Sequence, residues 1–149
     1  MKIRIELDPA YEEVEVIIRT NQMSEEINQM IQMLDQGKPK KIIGIIEQHF
    51  HILEPSDIYF FFSEGRKVFA QTNNKKLEVK SRLYELEVLL KGEGFVRFSK
   101  STIANLHHIK SFEMSFHGSM CAHFSNGMVE YVSRRYVPYI KESFNMGGM

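Results

Sequence analysis

From residue 41 to residue 132 the chain is a succession of short apolar runs cut by turn formers, and this spacing constrains the fold more than any other feature. The runs KIIGII, HFHIL, IYFFFS, RKVFAQT and KLEVK, at 41–46, 49–53, 58–63, 66–72 and 76–80, are divided by EPSD, SEG and TNNKK. Runs of this length, rich in Ile, Val and Phe and bounded by Gly, Pro, Asn and Asp, read as strands joined by turns. One amphipathic helix interrupts them. In SRLYELEVLLKGEG, Leu83, Leu86 and Leu90 form a stripe and Ser81 stands where a cap belongs. Strands then resume at 95–99, 109–116, 120–125 and 128–132, the last two joined by Asn126-Gly127, the strongest short hairpin signal. SRRYVPYIKESF reads as a closing helix that opens at Ser133, with Pro138 tightening its first turns. The fold class is mainly β, α+β overall, with one or two helices in the body.

Ahead of this body, KIRIEL and EVEVIIRT alternate Ile3, Ile5 and Leu7, then Val14, Val16 and Ile18, with polar residues, a pattern that predicts two half-buried strands. SEEINQMIQMLDQG follows, with Ile27, Met30, Ile31 and Leu34 at helical spacing, Ser24 as its cap and Gly37 to close it. Its methionines are expected to fill core. GKPK reads as a linker. The organisation expected is therefore a small strand-strand-helix module over 1–38, for dimerisation or sensing, and a main domain over 39–149. A chain of 149 residues has room for one such core and a small appendage.

Composition is that of a soluble globular protein, with 43% hydrophobic and 26% charged residues. No apolar run approaches the roughly 18 residues of a membrane span. The alternating charges of MKIRIEL leave no apolar stretch for a signal peptide, so a cytoplasmic protein is expected. The lone Cys121 excludes an internal disulfide and a multi-cysteine zinc site.

Catalytic and metal chemistry find little to work with. His49 and His51 could share a strand face and meet a metal, but no third ligand of suitable spacing accompanies them. Cys121 sits in an apolar strand as an inert thiol, there is no nucleophile elbow, and the nine glycines are scattered at turns and the tail, not gathered into a phosphate loop. No enzyme, metal or cofactor is expected.

Net charge is zero, but its distribution is uneven. Residues 1–48 hold six Lys/Arg against nine Asp/Glu, residues 49–94 seven against seven, and residues 95–149 six against three. The C-terminal third is thus the basic part. Several cations, there and at one earlier point in the chain, fall at turns. VRFSKSTIAN breaks a strand with Lys100 among Ser99, Ser101, Thr102 and Asn105; SRRY brings Ser133, Arg134 and Arg135 to a helix start; SEGRK puts Arg66 and Lys67 at a glycine turn. Hydroxyl and amide side chains there satisfy local backbone groups. Lysine and arginine offer only donors, and phosphates and guanine edges offer acceptors.

In DIYFFFSEGRKVFAQT, FVRFSKSTIANLHHIKSF, the Asn-Gly hairpin and EYVSRRYVPYIK, in this order, the chain resembles the LytTR family of DNA-binding domains over about residues 40–145. The most specific segments are the run of Phe95, Arg97, Ser101, Asn105, Leu106 and Ile109, and VSRRY at 132–136. The resemblance implies short antiparallel sheets with little helix, and a transcription regulator, commonly on paired sites, that inserts loops into successive major grooves of double-stranded DNA. It implies Arg66 or Lys67 at the first loop, Lys100 as a base-edge reader beside Ser99 and phosphate-binding Ser101, Arg135 as a second base reader, and Arg134 for phosphate or packing. Two departures stand out: Ser99 where the family often has His, and Ala104 where it often has a bulky aliphatic. Only about 40 residues precede the domain, too few for a receiver domain, so the expected input is not an aspartyl phosphate. A homodimer is expected. The rival reading is a protein-interaction module that uses the basic surface without DNA.

Overall fold

The computed structural model describes residues 1–35 and 40–144, and the chain divides into two units, 1–38 and 39–149. In the first unit the helix α1 spans Glu25–Asp35. Ser24 caps it, its Oγ accepting the Ile27 N–H at 3.3 Å, and Glu25 and Glu26 complement the positive end of the helix dipole. Gly37, the expected stop, lies outside the described residues.

The two strands expected before α1 are absent. Residues 1–24 belong to no ladder, and Ile3, Ile5, Leu7, Val14 and Val16 are exposed. Alternation says which side chains would share a face, but a strand exists only where a neighbour's N–H and C=O groups meet its own. Among the described residues no such neighbour is present. For the same reason the methionines of α1 are not core: Met33 is exposed and Met30 half-buried.

The second unit carries ten strands: β1 Ile42–Ile46, β2 His49–Leu53, β3 Phe60–Glu64, β4 Lys67–Gln71, β5 Lys76–Val79, β6 Phe95–Ser99, β7 Thr102–Asn105, β8 Ile109–Met114, β9 Met120–Phe124 and β10 Val129–Val132. Helix α2, Leu83–Leu89, separates β5 from β6, and α3, Val137–Ser143, ends the described chain. Seven strands form one sheet in the order β2-β1-β5-β4-β3-β7-β6, three form another in the order β10-β9-β8, and every pairing is antiparallel.

Around β3 both faces of the large sheet are covered, which explains the continuous apolar run YFFF. Successive strand residues point to opposite faces. Phe61 accordingly joins Ile58, Leu77, Ile103 and the α2 stripe Leu83, Leu86 and Leu90, whereas Phe60 joins Phe98, Ala104, Phe124, Val132 and Ile140 in a second core with the small sheet and α3. Gly44 serves the first core by absence: a Cβ there would stand 2.8 Å from Leu77 Cδ2.

Three sequence expectations in this unit are corrected. Helix α2 is capped at Arg82, whose N–H donates to Glu85 Oε1 at 3.0 Å, not at Ser81. STIAN was expected to break a strand at the surface, yet Thr102–Asn105 is β7, an inner strand with all four residues buried. Asn105 is tolerated there because its side chain is bonded. Asn105 Nδ2 donates to the Ile58 carbonyl at 3.0 Å and lies 3.3 Å from that of Pro55, and its Oδ1 accepts the His107 N–H at 3.0 Å. The last helix opens at Val137, not Ser133; Pro138 is admitted in its first turn, where its missing N–H costs nothing.

Asn105→Ala would leave the buried Ile58 carbonyl and the part-buried His107 N–H without these partners, so we expect a loss of about 2 to 3 kcal/mol in a denaturant titration. A loss below about 0.5 kcal/mol would contradict this account of β7.

Candidate nucleic-acid interface

Backbone pairing decides where the basic turns go. β3 and β7 are antiparallel neighbours with Phe62 opposite Thr102, and the Ser63 N–H donates to the Ser101 carbonyl at 2.9 Å. The β3–β4 turn, Gly65-Arg66, and the β6–β7 turn, Lys100-Ser101, therefore stand side by side at one end of the sheet. Gly65 has φ +63°, the left-handed conformation that a tight hairpin turn requires. The third turn is tied to the same end. Ser133 N–H donates to the Phe98 carbonyl at 2.9 Å, so the residues after β10 leave the small sheet beside the last residues of β6. Arg134 and Arg135 lie in the turn that precedes α3, closed by the Tyr136 N–H on the Ser133 carbonyl.

The electrostatics favour free cations at this rim. Arg66, Lys100, Arg134 and Arg135 are exposed, and among the described residues Arg66, Lys100 and Arg135 take part in no ion pair. The acids nearest in the fold are engaged: Glu64 with Lys76 at 2.8 Å and Glu87 with Arg97 at 2.7 Å. Arg135 lies over the Tyr136 ring at 5.8 Å. Lys67 is different. It projects from β4 to within 3.4 Å of Glu78, which also meets Lys80, and these contacts, with the Lys80 hydrogen bond foremost, hold the Glu78 carboxyl below the usual range. On the small sheet, burial pushes the carboxyl of half-buried Glu130 up.

The Lys100 turn is braced from below. β6 carries a bulge, since Arg97 faces Ile103 and Ser99 faces Thr102, which leaves Phe98 as the extra residue, fully buried in the second core. Arg97 then reaches two ways: its Nε donates to Glu87 on α2 at 2.7 Å, and its Nη1 donates to the Lys100 carbonyl at 3.0 Å. Ser99 Oγ accepts the Ser101 N–H at 3.2 Å and lies 3.3 Å from the Ser101 hydroxyl, so this pair shapes the turn. Arg134 is likewise a brace, its Nε donating to the His117 carbonyl in the β8–β9 loop.

The sequence singles out Arg97 only within the run shared with the family and gives it no partner. Glu87 was not singled out at all. Their pairing spans a helix, a glycine turn and a strand, and no local pattern announces it. Among the described residues, no three His, Cys, Asp or Glu side chains are grouped closely enough to hold a metal ion. No described helix is long and apolar enough to cross a membrane.

Known proteins are similar to this chain in sequence and in fold. The LytTr DNA-binding domain family matches residues 48–145. Regulators named HTH-type transcriptional regulators in Staphylococcus aureus are similar to nearly the whole chain: those of strains MSSA476 and NCTC 8325 are each 31% identical over 147 residues, covering 98% of this chain and 99% of the relative. In fold, the chain is similar to a LytTr DNA-binding domain from Bacillus cereus, with a TM-score of 0.68 and 23% identity, over 72% of this chain and 98% of that one. The match of the family from β2 through α3, with the same fold seen in a solved member, establishes that this chain belongs to the LytTR family of DNA-binding domains.

Proposed function

We propose that this chain is a cytoplasmic, sequence-specific transcription regulator that sets the rim of turns at 64–67, 99–101 and 133–135 against duplex DNA, as a homodimer on paired sites. The observation that supports the reading is the shared rim: Arg66, Lys100 and Arg135 stand on turns tied to one end of the sheet, and none is in an ion pair among the described residues. Lys100 and Arg135 read base edges in the major groove, and Arg66 reaches a base or phosphate beside them. Lys67, which already has Glu78 as a partner, contributes to phosphate binding, as do Ser99, Ser101 and Arg134.

The mechanism is positional and electrostatic. Cations that neutralise phosphates release counterions, which gives affinity and a steep salt dependence, and each well-placed donor pair on guanine O6 and N7 adds about 1 to 3 kcal/mol of discrimination. Turns, not a helix, carry these donors. The three described helices are each separated from the next by strands, so no two of them are joined as a helix-turn-helix. Zero net charge keeps background binding to arbitrary sequence weak.

Fluorescence anisotropy on a duplex from upstream of the protein's own coding sequence, against a scrambled duplex across a salt series, tests the reading. We expect tighter binding to the upstream duplex and a log-log salt slope of about −4 to −6. Lys100→Ala and Arg135→Ala should each reduce the preference by roughly 5- to 100-fold with thermal unfolding unchanged. Full preference in these variants would refute their assignment, and heparin binding without preference among duplexes would favour the protein-interaction module. In the same assay, Arg97→Met and Glu87→Gln should weaken the preference by roughly 3- to 10-fold, although neither side chain reaches DNA, because the Lys100 turn loses its brace. Wild-type preference in both variants would show that the brace does not position Lys100.

A further inference from the structure

We infer that residues 1–35 are a dimerisation surface whose partner is the same segment of a second copy of this chain. The proposal gives the homodimer of the proposed function its contact surface and is independent of how DNA is read.

The segment is built to be covered. Ile3, Ile5, Leu7, Val14, Val16 and Ile17 are 80%, 77%, 91%, 97%, 57% and 65% exposed, and on α1 Ile31, Met33 and Leu34 are 44%, 72% and 55% exposed. Nine exposed apolar side chains within 35 residues exceed the singly scattered hydrophobics of an ordinary surface and mark an interaction surface. The unit is also too small to cover itself. A fold of about 40 residues or fewer generally needs a disulfide, a metal or association. The chain's one cysteine is Cys121, in the other unit, and no metal-holding group exists among the described residues. Association is what is left.

The chemistry of the two flanks selects the partner. Asp8 to Tyr11 already form a turn: the Tyr11 N–H donates to the Asp8 carbonyl at 3.1 Å, Asp8 Oδ1 accepts the Ala10 N–H at 2.9 Å, and Pro9 sits at the second position. The flanks on either side are complementary. The first alternates Ile3 and Ile5 with Lys2 and Arg4, the second Val14 and Val16 with Glu13 and Glu15. Antiparallel pairing sets Ile5 against Val14, Ile3 against Val16 and Arg4 against Glu15. Made within one chain, this pairing leaves a two-stranded ribbon with a bare apolar face, and a second identical ribbon is the self-complementary surface that fits it. Made between chains, it occurs twice about a two-fold axis. In either arrangement the occupant is a second copy.

Sedimentation velocity of the full chain from about 1 to 100 μM should give twice the 17.5 kDa chain mass. Residues 1–35 hold three basic against eight acidic residues, so added salt, by screening like charges, should tighten the dimer. Ile5→Asp with Val14→Asp should weaken it at least 30-fold while the thermal unfolding of the β domain and binding to a single half-site duplex stay unchanged. Phe50→Ser, at an exposed apolar residue of β2, should leave the dimer intact. A wild-type monomer at all concentrations, a dimer indifferent to the double substitution, or one abolished by Phe50→Ser would overturn the proposal. Loss of DNA preference in a chain that still dimerises would count only against the DNA reading.

Discussion

The antiparallel pairing of β3 with β7 is the contact on which the rest of the interface depends. β7 is a four-residue strand with no exposed member, and it lies between β3, which carries the first basic turn, and β6, which leads into the second. Its register, with Phe62 opposite Thr102, sets the two turns level. A slip of one residue would turn Ile103 and Ala104 to the wrong cores, so packing on both faces defends the register and, through it, the alignment of Arg66 with Lys100. The interior thereby supplies the precision that exposed turns lack on their own.

The third turn depends on the second core. Phe98 at the β6 bulge, Val132 at the end of β10 and Val137 at the start of α3 are buried together, and the Ser133 N–H donates to the Phe98 carbonyl. That cluster carries Arg134 and Arg135 to the rim, and Arg134 in turn holds the β8–β9 loop through His117. A division of labour follows among chemically similar side chains. Arg97 and Arg134 direct donors to carbonyls and a carboxylate of the protein, whereas Arg66, Lys100 and Arg135 enter no ion pair among the described residues. Charge counting cannot separate the two groups, but their partners do.

The sequence disclosed the β body well, because short runs bounded by Gly, Asn and Pro encode strands and turns locally. HFHIL and FVRFS are strands over the expected residues, and the Asn126-Gly127 hairpin stands where its dipeptide put it. Two local readings failed for opposite reasons. TIAN carries Thr and Asn and reads as surface, yet partners distant in sequence, the carbonyls of Pro55 and Ile58, satisfy Asn105 and allow it inside. KIRIEL and EVEVIIRT read as strands, yet a pattern of faces does not supply a pairing partner. At the interface the cations and their turns were legible. Their common rim was not, since it follows from strand order, and neither was the Arg97–Glu87 brace.

The most direct test of the shared rim is amide chemical-shift mapping of the protein titrated with the duplex it prefers. The account expects shifts concentrated at residues 64–67, 99–101 and 133–135, with little change at the opposite end of the sheet, where Asn126 donates to the Asn73 carbonyl. Shifts centred on residues 72–75 and 125–127, with the three basic turns unmoved, would contradict it.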